Sequence, residues 1–222
     1  MKKFARIIGT GSYLPSKVVT NFDLEKTLDT SDEWITARTG IKERRIVTGQ
    51  NTCDLALEAS LKALSMAELQ PEDIDLIILS TTTPDKIFPA TATMLQNRLR
   101  ASCPAFDLQA VCAGFVFALT TAQQYIENGS AKNILVVGSE TMSKIVDWSD
   151  RSTAILFADG AGAVVLSADN TTGIKHSKLF SDGSYLSSLH VNNNGIDELG
   201  TIHMEGNEVF KIAVNRLSDL AE

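Results

Sequence analysis

Apolar residues along this chain come in two rhythms. Short, nearly unbroken apolar runs alternate with longer stretches in which apolar positions recur every three to four residues. "ARIIGTGSYLP" predicts a strand ending in a Gly-rich turn. "TNFDLEKTL" has the Thr/Asn start and early acids of a helix N-terminus. "DLALEASLKALSM", from Asp54, keeps a helical period, and "DIDLIILSTTTPD" predicts a buried strand running into a polar loop at Thr81 to Asp85. A helix over "ATATMLQNRLR" and a strand over "PAFDLQA" follow, then a long apolar helix after Cys112. "NILVVGSE" predicts a strand, and "TAILFADGAGAVVLSAD" two strands around an Ala/Gly turn. "SKLFSDGSYLSSLHV" supplies another strand and a loop. Strands joined this regularly by helices imply an α/β fold around a central, mostly parallel sheet.

The last stretch, "EGNEVFKIAVNRLSDLAE", is amphipathic, with Val209, Phe210, Ala213, Val214, Leu217 and Leu220 on one helical stripe. It stops at Glu222 without a Gly or Asn cap or a following Pro. One strand and one helix after residue 174 look like the start of a further α/β unit, so the expectation is a chain cut short.

Charge and composition narrow the function classes. A net charge of −7 argues against nucleic acid as a partner, because phosphate binding needs a basic face. Lys2 and Lys3 suggest a signal peptide only faintly, since the apolar run behind them breaks at Gly9 and Gly11. No run approaches the ~18 apolar residues of a membrane span. Cys53, Cys103 and Cys112 are odd in number and lack metal-ligand or CxxC spacing. The expectation is a cytoplasmic protein with reduced thiols, no metal and no membrane partner.

Cys112, in "DLQAVCAGFVFALTTAQQYIENG", stands at the mouth of the apolar helix, followed by Ala113 and Gly114. Two readings suit that position. Free Cys is among the most buried residue types, which favours a small core residue. A helix N-terminus also offers free N–H groups and partial positive charge, which favour a reactive thiolate. The residues alone leave both open. "FADGAGAVV" has the look of a phosphate cradle, but its spacing is neither a Walker loop nor a dinucleotide fingerprint, and glycines for close packing read better. His176, His190 and His203 lie in polar contexts and read as solvated surface residues.

Four longer motifs carry a resemblance. "TSDEWITARTGIKERR", "AVCAGFVFAL", "SDRSTAILFADGAGAVVL" and "MEGNEVFKIAV" together resemble the β-ketoacyl-acyl carrier protein synthase III family, thiolase-fold condensing enzymes that start bacterial fatty acid synthesis. The similarity runs from Ile7 to the last residue. It implies a thiolase-like α/β fold, with an N-terminal half over 1–173 and the beginning of a C-terminal half over 174–222. It also implies that Cys112 is the nucleophile, that Ala113 and Gly114 leave room for a thioester, and that Trp34, Arg38 and Arg151 hold coenzyme A. Trp34 and Arg151 would sandwich the adenine and Arg38 would pair with phosphate. Met142, Phe157 and Leu189 match acyl-pocket positions, and Phe88 matches a residue that the family contributes across its dimer interface.

The resemblance further implies an acyltransferase without a separate cofactor. It would take acetyl-CoA or another short acyl-CoA and malonyl-acyl carrier protein as substrates and work as a homodimer. Ala158 departs from the family's usual Gly, and the chain ends before the region where the family carries a catalytic His, a catalytic Asn and a Gly-rich oxyanion segment. The alternative is therefore a truncated or split-gene fragment without condensing activity, at most a dimerisation or binding module. A redox-sensing thiol protein has only the lone Cys112 in its favour and lacks an evident resolving partner.

Overall fold

The computed structural model describes residues 3–193 and 199–221. In chain order the first elements are β1 (Phe4–Tyr13), β2 (Lys17–Thr20), α1 (Asn21–Leu24), α2 (Asp32–Thr39), β3 (Glu43–Ile46) and α3 (Thr52–Ala67). Then come β4 (Leu76–Ser80), α4 (Thr91–Leu99), β5 (Ala105–Leu108), α5 (Gly114–Glu127) and β6 (Asn133–Thr141). The last are α6 (Arg151–Ala154), β7 (Asp159–Asp169), β8 (Leu189–Asn193), β9 (Leu199–Met204) and α7 (Gly206–Ala221).

The described residues form two compact units that interleave along the chain. One comprises Met1–Lys17, Arg45–Thr141 and Asp159–Leu179, and the other Val18–Arg44, Met142–Ala158 and Phe180–Glu222. The expected boundary at 173/174 lies inside the last segment of the first of these units.

The first unit is built on a five-stranded sheet in the order β1-β7-β6-β4-β5. The β4 pairings with β5 and β6 are parallel, whereas β7 is antiparallel to both β6 and β1. Four strands therefore run one way and β7, between β1 and β6, runs against them, so the sheet is mixed where a mostly parallel one was expected. The apolar runs follow from burial on both faces. Ile77, Leu79, Leu135 and Val137 pack with Leu55, Ala59 and Ala63 of α3 and with Leu95 of α4. Their neighbours Leu76, Ile78, Ile134 and Val136 pack with Ala118, Ala122 and Ile126 of α5. Successive residues of one strand thus serve opposite layers, giving an αβα arrangement.

Two local readings change. "TNFDLEKTL" makes only the single turn α1, closed by a reciprocal pairing of the Thr20 and Asp23 side chains and backbones. "TAILFADGAGAVVLSAD" is a short helix and one strand, not two strands about a turn. Its Ala/Gly run lies inside β7, where cross-strand hydrogen bonding to β1 and β6 on both sides keeps the backbone extended.

Of the glycines in that run, Gly160 is closely packed, a Cβ there lying 3.1 Å from the Leu14 side chain, but the glycines of β1 are tighter. A Cβ at Gly162 would meet nothing within 4 Å, whereas one at Gly9 or Gly11 would lie 2.2 or 2.1 Å from the carbonyl oxygen of Ala63 or Ala59. These two glycines, facing alanines, let β1 lie against the backbone of α3.

The second unit surrounds a core of Leu24, Leu28, Ile35, Ile145, Val146, Ala154, Ile155 and Ile202. β8 and β9 form an antiparallel pair within it. On α7, Phe210, Val214 and Leu217 of the predicted stripe are exposed, and Leu220 lies outside the residues whose side chains are described. No helix among the described residues is long and apolar enough to cross a membrane.

Candidate functional site

Cys112 is exposed and sits in a single 3-10 turn, Val111–Ala113, between β5 and α5. The core-residue reading is thereby excluded for Cys112, while Cys53 and Cys103 are the buried thiols, pushed up in pKa by burial. The turn is sharp. Val111, the residue before the thiol, has φ 47°, in the left-handed region that a β-branched side chain rarely occupies. Such backbone strain is held only where surrounding structure over-determines it, and it clusters at functional sites.

What over-determines the turn is the packing beneath it. Gly114, the first residue of α5, is buried, and a Cβ there would lie 2.1 Å from the Ser80 Oγ at the end of β4. Gly114 therefore makes room for Ser80 and brings α5 down onto the strand, rather than clearing space for a thioester. Ala113 at the N-cap of α5 has no side chain able to accept a hydrogen bond. The first turn of α5 thus receives no side-chain cap.

The Ser80 floor is itself anchored. Glu140 of β6 accepts hydrogen bonds from the Thr82 N–H at 2.8 Å and the Thr83 hydroxyl at 2.5 Å. It also accepts from Thr81 at 3.4 Å. Burial raises the Glu140 pKa above the ordinary value, and these donors work against that rise. Thr83 in turn accepts from the Thr141 N–H at 2.8 Å, so the loop after Ser80 is fastened to the end of β6. Sequence reasoning saw the polar loop but not its carboxylate partner, which is 57–59 residues away along the chain.

In the second unit, Trp34, Arg38 and Arg151 meet. The Arg38 guanidinium lies 4.5 Å and that of Arg151 4.7 Å from the Trp34 ring centroid. Arg38 reaches the ring because positions four apart share a helix face. Arg151 comes from α6, and donates to the Asp29 carbonyl at 2.7 Å. α2 is started by Ser31, whose Oγ accepts from the Trp34 N–H, and ended by Gly40 at φ 73°. The indole is half-buried and both arginines are exposed. An adenine between Trp34 and Arg151 needs two stacking layers, about 7 Å in all. The guanidinium occupies that place here, so a sandwich requires Arg151 to swing off the indole.

Met142, Phe157 and Leu189 all pack, half-buried, on the same apolar cluster as Trp34. Phe88 is not among them. It lies in the other unit, 82% exposed beside Ile87, which is equally exposed. His176 is exposed, as expected. His203 is exposed too, and it faces His190 across β8 and β9 with ring centroids 4.9 Å apart. The Nδ1 of His190 is buried without a hydrogen-bond partner among the described residues, so the solvated reading does not hold for His190. No group of three or more His, Cys, Asp or Glu able to hold a metal occurs among the described residues.

One group near this cluster escaped sequence reasoning altogether. Arg44 of β3 is a buried cation, and burial lowers its pKa from the ordinary value. The available signal was its place two residues from Ile46, on the buried side of a period-2 strand.

Known proteins resemble this chain in both sequence and fold. The sequence model of 3-oxoacyl-[acyl-carrier-protein (ACP)] synthase III matches residues 106–183, the segment that holds the Cys112 turn and Arg151. A curated protein of Vesicomyosocius okutanii, named beta-ketoacyl-[acyl-carrier-protein] synthase III, is 69% identical over 222 residues, covering 100% of this chain and 71% of that protein. A namesake from Neisseria meningitidis is 56% identical over 227 residues, covering 99% and 71%. Among solved structures, the 3-oxoacyl-[acyl-carrier-protein] synthase III of Aquifex aeolicus superposes with a TM-score of 0.88 at 50% identity, covering 94% of this chain and 67% of that one. The Pseudomonas aeruginosa counterpart gives 0.90 at 40% identity, covering 97% and 68%. The α/β fold is therefore thiolase-like, and the chain belongs to the β-ketoacyl-acyl carrier protein synthase III family.

Proposed function

We propose that this chain is a condensing acyltransferase of fatty acid initiation that works through an acyl-Cys112 intermediate. The observation that carries the reading is the exposed Cys112 on a strained turn at the foot of α5, in a chain 69% identical to a named synthase. The Cys112 sulfur, as thiolate, attacks the carbonyl carbon of a short acyl-CoA thioester. A new carbon–sulfur bond forms, the bond to coenzyme A breaks, and coenzyme A leaves as the thiol after taking up the proton that Cys112 gave up. Malonyl-acyl carrier protein then loses carbon dioxide. The resulting enolate carbon attacks the acyl carbonyl and expels the Cys112 thiolate. Negative charge develops on the thioester oxygens in both steps, and preorganised N–H donors stabilise such charge.

Trp34, Arg38 and Arg151 form the coenzyme A clamp in this reading. The indole offers a face to the adenine, and two exposed cations stand ready for its face and for phosphate. Met142, Phe157 and Leu189 supply an apolar wall for the acyl group. Phe88 and Ile87, exposed together, suit a contact with a second copy of the chain as a homodimer. The thioester is a substrate, so the reaction uses no separate cofactor, and a cytoplasmic location fits these substrates.

The test is to incubate the chain with acetyl-CoA and malonyl-acyl carrier protein and follow coenzyme A release and 3-oxoacyl product. Cys112→Ala should abolish both, with a loss on the order of 10⁴-fold or more for removal of a nucleophile. Coenzyme A release that persists in Cys112→Ala would overturn the proposal.

A further inference from the structure

We infer that Arg44 and Asn21 are positioning residues for the Trp34–Arg151 cluster, joining the two elements that carry its parts through one buried polar hub. The inference rests on the coenzyme A reading of that cluster. Arg44 is 2% exposed and Asn21 fully buried, and neither side chain touches Trp34, Arg38 or Arg151 in any described hydrogen bond or ring contact.

On one side, the Arg44 guanidinium donates to the carbonyl of Ile155 from Nη2 at 2.9 Å and from Nε at 3.3 Å. Ile155 caps the C-terminal end of α6, the helix that begins with Arg151. A cation on a terminal carbonyl satisfies an orphan acceptor and fixes the end of the turn. On the other side, the same Nη2 donates to the Asn21 Oδ1 at 2.8 Å. The Asn21 amide then donates to the Asp32 carboxylate at 2.8 Å and to the Thr36 hydroxyl at 3.3 Å, both on α2 beside Trp34. It also donates to the Ile41 carbonyl at 2.8 Å, just past the end of that helix.

The chain of contacts therefore runs from α6 through Arg44 and Asn21 to α2. Two helices 112 or more residues apart in sequence are set against each other by it. The acceptors of Arg44 among the described residues (Ile155 O, Val19 O, Asn21 Oδ1) are all uncharged. Only a planar fork with several donors reaches Ile155 and Asn21 at once, and a Lys ammonium on a single stem does not reproduce that geometry. A purely structural role would be filled as well by packed apolar side chains, because a buried charge is weak evidence for stability by itself.

The experiment compares Arg44→Lys, Asn21→Ser and Trp34→Ala in the full chain. Coenzyme A binding is measured by calorimetry, and indole emission is read in a Trp148→Phe background so that Trp34 alone reports. Arg44→Lys should retain a cooperative melt and raise the coenzyme A Kd roughly five- to thirtyfold, the range of one lost stacking contact. It should also shift the Trp34 emission without any ligand. Adding Trp34→Ala to Arg44→Lys should weaken binding little further, since the positioned group is already gone. Asn21→Ser should act in the same direction, and it carries the test if Arg44→Lys does not fold. Unchanged Trp34 emission in both variants overturns the positioning role, as does wild-type affinity where Trp34→Ala binds weakly. If Trp34→Ala itself binds as tightly as wild type, the clamp reading falls and the proposal with it.

Discussion

The turn at Cys112 and the cluster at Trp34 are held in place by different means. At Cys112 the backbone does the positioning. A left-handed Val111, a buried Gly114 and the Ser80 hydroxyl fix a thiol whose side chain remains exposed. At Trp34 the side chains do it, with two guanidiniums on one half-buried indole and a buried Arg44–Asn21 pair behind them. In the function proposed above, the difference matches the tasks. A nucleophile must be presented at one point, and interiors packed without voids tolerate little displacement. A nucleotide clamp must open and close, and the exposed side chains of Arg38 and Arg151 can move without disturbing the core.

This contrast predicts that the turn breaks through sterics and the clamp through lost contacts. Gly114→Ala should have the largest effect on stability, ~1–3 kcal/mol from overpacking against Ser80. The Ser80 Cβ stands 3.4 Å from the added methyl, so Ser80→Ala should relieve most of the loss in the double variant. Urea unfolding of the four proteins in the cycle checks this, and strictly additive losses would show that Ser80 is not the obstruction.

Trp34→Ala comes next, weakening acetyl-CoA binding by ~1–2 kcal/mol while leaving the urea midpoint of the Cys112 unit unmoved. Equal affinity for both proteins in calorimetry would remove the indole from the clamp.

The smallest effect concerns Glu140. Burial raises its folded-state pKa above the ordinary 4.5, so the folded state holds its proton more tightly than the unfolded one. Its contribution to stability is fully present below pH 4.5 and is lost as pH rises through the raised value. Glu140→Gln should flatten that decline, and the change in slope should amount to ~1 kcal/mol or less between acid and neutral pH, the scale of one hydrogen bond. Urea titrations of both proteins across this range measure it, and identical slopes would mean that Glu140 does not titrate there.

Local order was legible in the sequence, and long-range closure was not. The strand runs of β4 and β6 and the period of α3 follow from burial pattern alone. The reversed direction of β7 leaves no mark in its composition, and its Gly-Ala-Gly run imitates a turn. Cys112 was visible as a candidate, yet whether it was exposed depended on how Gly114 and Ser80 met, 34 residues apart. Trp34, Arg38 and Arg151 came from the family resemblance. Their contact across 117 residues could not come from spacing. Arg44 is set by partners 111 and 23 residues away, Ile155 and Asn21, which the adjacent arginines of "ERRI" do not reveal.

The central claim is that the Cys112 turn makes a thiol that accepts an acyl group from coenzyme A. The most direct measurement is intact mass of the chain after incubation with acetyl-CoA, followed by peptide mapping. A single added acetyl group on Cys112, absent from Cys112→Ala and slowed in Gly114→Ala, is the expected result. An unmodified chain, or acetylation that spreads to Cys53 or Cys103 or survives in Cys112→Ala, would contradict it.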